Sequence, residues 1–494
     1  MSEYRRQHWA AAVDKLFNLV RKNLFTFLVL FFVGTRQSDG MIFWYVFAGT
    51  LVLAFVTGVL DWVRFEYRVK DGELQIKKGI LVRNNLFMDR ERIQTIDVTE
   101  GIIQRLFGLV KVEIKSAGSG NGNATLAAIS AGEAKELQDA LKRNRSAESV
   151  ELATDEFLED QVIEELDDDL IEDQWKISKR ELLMAALTSG NFGIIASILG
   201  AISGQMDQFI NQENLQYLLD RLPGFNNVTL IIGLVIVIFI LSWGLSFLGV
   251  ILTHADFTIK KYKKELVISS GLLERKQITI PFDRVQAVRF TEGVLRQPFG
   301  FGMLFVESAG FQQQEKQRSI VLAPYISKAS LGSFFERFMP DFTPEKLDVR
   351  PPERAFFKYI RKPNYLLLVA LPFASFYWTY GWMLSLLVVP FSILGWLRFR
   401  DAGLTFNQHQ LVIRSRDLVR KTAFIRRNRI QVVDESAHPF QEYKNLSTVS
   451  VTTASGAKGM TFGINDMDHS IAIKLRSWLI DGKGRSSISD EEHE

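Results

Sequence analysis

The sequence predicts an α+β membrane protein in which transmembrane helical hairpins alternate with three small antiparallel β domains. The first observation is an internal repeat, because three stretches of the 494-residue chain are versions of one another. The second is that each copy follows a strongly apolar stretch. The third is that apolar residues within each copy alternate with period two between glycine-marked turns, which indicates short antiparallel strands.

The repeat consists of an Arg-[Ile/Val]-Gln strand, a downstream Gly, a Phe-Gly turn and a Ser/Thr-Ala strand end. The third copy is the most divergent, because it lacks the Phe-Gly pair. The copies are Arg92-Ile93-Gln94, Gly101, Phe107-Gly108 and Ser116-Ala117; Arg284-Val285-Gln286, Gly293, Phe299-Gly300 and Ser308-Ala309; and Arg429-Ile430-Gln431 with Thr453-Ala454.

A helix is predicted at the end of each copy, over residues 132–143, 327–338 and 468–480. In the last of these, Ile471, Leu475 and Trp478 lie on one amphipathic face. A final helix over a small curved sheet hides an apolar face and protects strand edges. We therefore expect each β domain to be closed by its C-terminal helix.

Six apolar runs are candidates for membrane helices, which need about 20 residues to cross the hydrocarbon core. The second, third and fourth are long enough. The first is long enough only if preceding residues join it, and the last two are borderline and form a tight hairpin. A dry hairpin inside a soluble core is the alternative for that pair. The runs are Leu24–Thr35, Met41–Leu60, Leu182–Ile202, Val228–Leu252, Tyr365–Tyr377 and Trp382–Leu397.

The distribution of basic residues predicts the orientation. Lys and Arg cluster before and after the hairpins, whereas the predicted opposite-face loops hold only Arg36 and Arg221. The positive-inside rule then places both termini and all three β domains in the cytoplasm of a multi-pass plasma-membrane protein. The N-terminal run has no small-x-small cleavage site, so we expect an uncleaved anchor.

Composition excludes several kinds of site. The chain has no cysteine, which rules out disulfides, thiolate metal sites and a Cys nucleophile. Its six histidines never fall at a ligand spacing, and no phosphate loop, zinc-protease or EF-hand motif occurs. We therefore predict no cofactor and no metal. The second, third, fourth and sixth runs contain no Asp, Glu, Lys, Arg or His, which argues against a transporter.

The formal charge of +3 hides an uneven distribution. Residues 148–173 carry many acids and no Lys or Arg, so the rest of the chain is strongly basic. A basic surface beside a bilayer suits anionic lipid headgroups, and no nucleic-acid-binding motif accompanies it. The acidic stretch is predicted to be a disordered spacer, with a docking helix as the alternative because apolar residues recur in it near helical spacing.

The repeated residues and the preceding two-helix hairpin resemble the bacterial membrane-anchored PH-like family (bPH2-type, formerly a domain of unknown function), in particular its three-copy members. The resemblance covers about residues 41–145, 230–340 and 382–482. It implies a pleckstrin-homology-like antiparallel β-barrel or sandwich with a C-terminal helix. It implies no catalytic residue.

The expected organisation follows from the repeats and the apolar runs. The boundaries are 1–60 for an N-terminal segment and first hairpin, 61–145 for repeat 1, 146–175 for an acidic linker, 176–253 for a second hairpin with an outer loop at 203–227, 254–342 for repeat 2, 343–397 for a linker and third hairpin, 398–482 for repeat 3, and 483–494 for a polar tail.

The recurring Arg and Gln are the main candidate site residues. Strand alternation predicts that the two side chains share one sheet face. They would then form a fork that grips a carboxylate, a phosphate or a neighbouring domain, or a structural network that satisfies backbone groups. The structural reading is favoured. The pairs are Arg92 and Gln94, Arg284 and Gln286, and Arg429 and Gln431.

Basic residues in repeats 2 and 3 are candidates for contact with anionic lipid, with a solvated face as the alternative. Each basic residue at the bilayer surface adds about 1 kcal/mol of attraction. The candidates are Lys260, Lys261, Lys263 and Lys264, and Arg414, Arg416, Arg420, Lys421, Arg426 and Arg427.

The third copy has Lys444-Asn445 in place of Phe-Gly, preceded by His438-Pro439-Phe440. A turn that depends on glycine must then be built differently there. We expect a surface shared by the first two copies to be missing from the third.

These observations predict a non-catalytic membrane scaffold whose three modules bind proteins, peptides or anionic lipids at the inner leaflet. Membrane lipids, a shorter PH-like relative or further copies of the chain are the expected partners. An enzyme acting on lipid or peptide at the membrane surface is the alternative, and a transporter component is disfavoured. No recurring carboxylate pair or nucleophile–base pair supports catalysis.

Overall fold

The computed structural model describes residues 3–23, 40–70, 72–80, 82–116, 123–142, 171–189, 227–309, 319–454 and 459–491. Its strands are β1 Arg5–Arg6, β2 Glu66–Lys70, β3 Glu73–Lys78, β4 Asn84–Asp89, β5 Ile93–Glu100, β6 Leu109–Ser116, β7 Ala124–Ser130, β8 Asp173–Lys176, β9 Thr258–Lys261, β10 Glu265–Ser270, β11 Arg275–Pro281, β12 Val285–Glu292, β13 Phe301–Ser308, β14 Ile320–Ser327, β15 Gly403–Phe406, β16 Gln410–Arg416, β17 Arg420–Arg426, β18 Ile430–Ser436, β19 Leu446–Thr453 and β20 Met460–Asp468.

The α-helices are α1 Ala10–Lys22, α2 Gly40–Arg64, α3 Ile102–Leu106, α4 Ala131–Lys142, α5 Lys179–Leu187, α6 Asn227–His254, α7 Leu331–Phe338, α8 Phe356–Tyr377, α9 Val388–Asp401, α10 Pro439–Glu442 and α11 His469–Glu491. Short 3-10 helices lie at Arg90–Arg92, Phe282–Arg284, Gln297–Phe299, Glu353–Ala355, Gly381–Leu387 and Arg427–Arg429.

The chain divides into two compact units. Unit 1 is drawn from residues 1–176, 256–284 and 309–318, and unit 2 from 177–255, 285–308 and 319–494. The division between Arg284 and Val285 separates the two halves of repeat 2. The domain boundaries derived from the sequence stay a prediction.

Unit 1 contains two antiparallel sheets. The first has the strand order β1-β2-β3-β4, and the second has the order β7-β6-β5-β11-β10-β9-β8. The second sheet joins the second half of repeat 1 to the first half of repeat 2, because β5 pairs with β11. The end of the acidic stretch contributes β8, which pairs with β9.

Unit 2 repeats this arrangement one copy later. Its larger sheet has the order β14-β13-β12-β17-β16-β15, so β12 of repeat 2 pairs with β17 of repeat 3. The remaining sheet has the order β18-β19-β20. Repeat 3 therefore shares its first sheet with repeat 2 and keeps its second sheet to itself.

The expectation of three separate barrels is corrected by these sheets. Within the described residues the strands form open sheets that neighbouring repeats share. The physical reason is that β5 and β12 each present a strand edge, and an edge is stabilised by pairing with another strand. The α+β class with PH-like domains and antiparallel sheets is confirmed.

The apolar cores follow the predicted alternation. In repeat 1, Leu74, Ile76, Val112 and Ile114 from the two sheets are buried together with Leu137 of α4. In repeat 3, residues of β15–β20 form a core that includes Leu475 of α11. The three predicted final helices correspond to α4, α7 and α11.

Among the residues that the structure describes, three helical segments are long and apolar enough to cross a membrane: Trp44–Arg64, Val235–His254 and Gly381–Asp401. Most of their surface is exposed apolar side chains, which a bilayer would solvate. In the third hairpin, α8 packs closely on α9, because a Cβ on Gly395 would lie 2.5 Å from the carbonyl oxygen of Tyr359. The exposed apolar faces of that pair do not fit the alternative of a hairpin buried in a soluble core.

The third predicted apolar run begins with a short helix, α5, instead of one long membrane helix. A capping box between Ser178 and Glu181 starts α5, and the helix ends at Leu187 with Thr188 as its C-cap. The rest of that run lies outside the described residues. So do the first apolar run, the outer loop, the glycine-rich stretch at 118–122 and most of the acidic stretch.

Candidate functional site

The recurring Arg-Gln pair lies at the start of the second sheet of each repeat. Each arginine is the last residue of a 3-10 turn, and each glutamine is the second residue of the next strand. In every copy the strand register shifts at the glutamine, between Ile93 and Thr95, Val285 and Ala287, and Ile430 and Val432. The glutamine is therefore the extra residue of a β-bulge, a feature that re-aims a side chain.

The expectation that Arg and Gln share one sheet face stays a prediction, but alternation does not support it. The arginine precedes the strand, and the bulge interrupts the alternation that the expectation relied on. The environments also differ: Arg92 and Gln431 are exposed, whereas Gln286 is buried. Arg284 lies 3.5 Å from Asp283. The repeated binding fork therefore stays a prediction.

A second pair of equivalent positions carries a buried ion pair in repeats 1 and 2. The acidic residue of one copy stands where the other copy has the basic residue. In repeat 1, Lys115 on β6 donates to Asp97 on β5 at 2.8 Å. At the same positions in repeat 2, Arg289 on β12 donates to Glu307 on β13 at 3.1 Å, and Ser319 donates to the same carboxylate at 2.7 Å. Burial raises the pKa of both carboxyl groups, and the neighbouring cations oppose that shift.

The arginines of repeat 3 form an internal network in unit 2. Arg416 is buried, with its Nε 2.5 Å from Oδ2 of Asp401, the last residue of α9. It also donates to Gln297 at 2.5 Å. Arg420 donates to Glu292 at 2.6 Å and lies 3.4 Å from Asp401. The expectation that Arg416 and Arg420 face lipid is wrong, because buried carboxylates occupy their guanidinium groups.

The other basic candidates of repeat 3 also have partners within unit 2. Arg414 donates to Thr422 at 3.0 Å, and burial lowers the pKa of its guanidinium. Arg426 donates to Asp341 at 2.7 Å. Arg427 donates to the carbonyl of Trp478 and lies over its ring. Lys421 pairs with Asp417 at 2.9 Å in a more exposed position.

The lysines of repeat 2 are more open. Lys263 and Lys264 are exposed in the turn between β9 and β10, Lys260 is half-buried, and Lys261 pairs with Glu172 at 3.0 Å. The prediction that this turn contacts lipid stays a prediction.

Arg296 is a functional candidate that the sequence analysis missed. It lies in the turn after β12, is buried, and donates to the carbonyl of Ala185 at 3.1 Å and to Thr188 at 3.3 Å. Burial lowers the pKa of its guanidinium to about 10. The charge caps the C-terminal carbonyls of α5, where a cation is favourable. Its counterpart in repeat 1 is Gln104, so comparing the copies would have shown the change.

Arginines at the ends of two spans bind the second hairpin turn of the repeat that follows, between β3 and β4 in repeat 1 and between β16 and β17 in repeat 3. Arg64, the last residue of α2, donates to the carbonyl of Ile80, and Arg398 in the last turn of α9 donates to the carbonyl of Asp417 at 3.0 Å. A Trp-x-Arg-Phe sequence at 62–65 and 396–399 is the signal that could have identified this clamp.

A cavity of about 620 Å³ in unit 1 lies beside α1 and the end of α2. Its walls include Lys15 and Asp61, which form an ion pair, and Arg21 and Glu274, which lie 3.1 Å apart. The wall charges are thus largely satisfied by each other. The cavity can hold a small polar group, but it presents no catalytic pair.

The turn that replaces Phe-Gly in repeat 3 keeps a residue in the left-handed conformation at the equivalent position. Gly108 and Gly300 have φ of 65° and 67°, and Asn445 at the equivalent position has φ of 48°. Asparagine tolerates the left-handed region better than other non-glycine residues. The expectation that this turn is built differently is therefore wrong.

Comparison with known proteins agrees with the repeat structure. The sequence profile described as "Bacterial PH domain" matches residues 24–145, 213–338 and 365–483. The chain belongs to the bacterial PH domain family. The three matches include α2, α6 and α9, so the bacterial PH domain repeat includes the helix that precedes each β domain. The resemblance inferred from the Arg-Gln strand and its turns is confirmed.

A curated bacterial relative extends this match along the whole chain. The chain is 32% identical over 492 residues to the UPF0699 transmembrane protein YdbT of Bacillus subtilis (strain 168), covering 97% of this chain and 98% of that protein. That protein's name describes a transmembrane protein and no activity. This chain, like that relative, is therefore a transmembrane protein, and the two match over nearly their full lengths.

Proposed function

We propose that this bacterial PH domain protein is a non-catalytic scaffold in the plasma membrane. Its three modules, each capped by a final helix, lie on the cytoplasmic side and bind proteins, peptides or anionic lipids at the inner leaflet. The observation that carries the proposal is the clamp between a span and a module. Arg64 and Arg398 each fix a hairpin turn of the next repeat to the end of a membrane helix.

The clamped turns expose apolar side chains. Val82, beside the Arg64 clamp, is 73% exposed, and Leu418, next to the carbonyl that Arg398 binds, is 61% exposed. Trp396 lies two residues before Arg398 and is itself exposed, and Trp is enriched where a span leaves the bilayer. An aliphatic side chain at that depth would be stabilised by entering the interface. The modules would then rest on the membrane through these turns as well as through basic side chains.

The recurring polar groups support a binding role over catalysis. Asp97 with Lys115 and Arg289 with Glu307 are paired inside sheets, and Arg416 with Asp401 is paired at the end of a span. Such pairs fix strands and helices relative to one another. A general base or nucleophile would instead need to face an open cleft.

Lipid contact can be tested because the chain has no cysteine. The protein carrying Leu418→Cys is labelled with an environment-sensitive fluorophore and reconstituted in phosphatidylethanolamine–phosphatidylglycerol vesicles. We expect a blue-shifted emission that spin-labelled lipids quench. Gln408→Cys is the matched control, since this exposed residue lies at the other end of the same hairpin, about 20 Å away along β16. Equal quenching at both sites, or at neither, would contradict contact through the turn.

Orientation can be tested with the same variant. Gln408→Cys should react with a membrane-impermeant maleimide only after the cells are opened. Ser38→Cys, in the predicted opposite-face loop, should react in intact cells. The reverse pattern would exclude the cytoplasmic placement of the modules.

A further inference from the structure

Within the described residues, the two ends of the repeat array have complementary strand edges that pair with no other strand. Strand β5 of repeat 1 pairs with β11 of repeat 2, and β12 of repeat 2 pairs with β17 of repeat 3. The strand equivalent to β5 and β12 in repeat 3 is β18, which lies at the edge of its sheet. The strand equivalent to β11 and β17 in repeat 1 is β4, which also lies at a sheet edge.

The two joints within the chain use the same register. Glu100 lies opposite Arg275 in the first joint, and Glu292 lies opposite Arg420 in the second. The two glutamates lie equally far after the arginine of the Arg-[Ile/Val]-Gln motif in their own repeat. The two arginines that face them lie equally far before that motif arginine in theirs. Since the same pairing forms twice between different copies, it is a property of the repeat.

The geometry points to a third joint of this kind, formed between β18 of one molecule and β4 of a second copy of this chain. In the shared register Val433 would lie opposite Phe87, as Val288 lies opposite Phe424 in unit 2. Val432 would lie opposite Met88, as Ala287 lies opposite Ile425. A valine would thus lie opposite a phenylalanine in the third joint, as it does in the second.

Exposure marks these edges as incomplete. At the second joint Ala287 is 0% exposed and Phe424 is 2% exposed. The residues at the same positions on the open edges are Val432, which is 53% exposed, and Phe87, which is 61% exposed. At the joint, Phe424 packs edge-on against Phe335 at 5.1 Å. Strand pairing at these edges would bury the exposed Phe and Val side chains.

One position differs from the joints within the chain. Ala437 stands where Glu100 and Glu292 stand, so Arg83 would have no glutamate opposite it. The joint between molecules would lack the ion pair that Arg420 makes with Glu292. We therefore expect it to be weaker than the joints inside the chain and reversible.

This inference goes beyond the proposed function, since it names a surface and a partner and needs neither lipid nor peptide binding. The contact is head-to-tail, with different surfaces on the two molecules, so repetition gives rings or rows. Confined to a membrane, such assemblies would place many modules side by side.

A disulfide test follows from the register. One tagged chain carries Val433→Cys and a differently tagged chain carries Phe87→Cys, and the two are co-expressed in membranes. Directly opposite Cβ atoms are about 4.5–5.5 Å apart, close enough for a disulfide after a small adjustment. Mild oxidation should give a dimer containing both tags. Ser436→Cys with Phe87→Cys is the control, because these residues would be about 10 Å out of register.

A dimer that forms equally in both combinations, or in neither, would overturn the proposal. Crosslinking of Val433→Cys to another protein but not to this chain would also overturn it, because another partner would then occupy the edge. Both outcomes leave the lipid-contact test unaffected.

A charge variant provides a second readout. Phe87→Lys should reduce the wild-type particle in mild detergent to a single 56.4 kDa chain, as measured by light scattering. Phe299→Lys, at a phenylalanine that is 63% exposed in the turn after β12 and belongs to neither edge strand, should leave the particle unchanged. A wild-type protein that is already a single chain in native membranes would exclude the assembly.

Discussion

Arg416 and Asp401 form a buried ion pair in which the guanidinium Nη2 lies 2.5 Å from the carboxylate Oδ2. Asp401 ends the membrane helix α9, and Arg416 ends strand β16 of repeat 3. The pair therefore links a span directly to the module that follows it. Glu292 and Arg420 extend this link to the neighbouring repeat.

We expect Arg416→Leu to destabilise the protein by about 3–5 kcal/mol, because it leaves Asp401 buried without its main partner. Thermal unfolding in detergent would measure the change. Lys421→Leu is the control, since the pair of Lys421 with Asp417 is more exposed and contributes about 1 kcal/mol or less. Similar losses for both variants would show that the buried link has no special role.

The raised pKa of Asp97 predicts a pH dependence of folding. Burial raises this pKa above its ordinary value of 3.8, so the folded state binds the proton more tightly than the unfolded state. The contribution of Asp97 is fully present below pH 3.8 and is lost as the pH rises through the raised value. Asp97→Asn should flatten the decline in stability with rising pH, as followed by thermal unfolding at several pH values. A steeper decline would contradict the sign.

Arg296 is expected to stabilise the end of α5. Arg296→Gln, which copies the residue of repeat 1, should remove hydrogen bonds from a charged donor and cost about 1–3 kcal/mol. Hydrogen exchange at the amides of Thr188 and Ser189 should become faster. Arg337→Gln on the exposed side of α7 should leave that exchange unchanged.

The left-handed turn of repeat 3 gives a prediction about backbone strain. Asn445→Gly should be neutral or slightly stabilising, because glycine adopts the observed φ of 48° without strain. Asn445→Val should cost about 1–2 kcal/mol in unfolding free energy. Lys444→Val, one residue earlier, is the matched control and should cost less. Equal losses at both positions would exclude the conformational explanation.

Local pattern was enough to locate most elements. The alternation around Leu74 and Ile76 predicted strands that pack into the repeat 1 core, and apolar length predicted α2 and α6. The bulge at Gln94, Gln286 and Gln431 was not predictable from alternation, because an inserted residue changes pairing without changing composition. Comparing Gln104 with Arg296 could have identified the cap on α5, but only the fold shows which carbonyls it reaches.

The sequence by itself determined the number of repeats, the apolar helices α2 and α6, and the approximate positions of the strands within each repeat, because these depend on short-range periodicity and length. Only the tertiary structure decided that β5 pairs with β11 and β12 with β17, and that Arg416 and Arg420 are internal. A strand edge pairs with whichever strand the fold brings alongside it, and a guanidinium group is buried or solvated according to residues far away in the chain. Neither relationship leaves a local trace in the sequence.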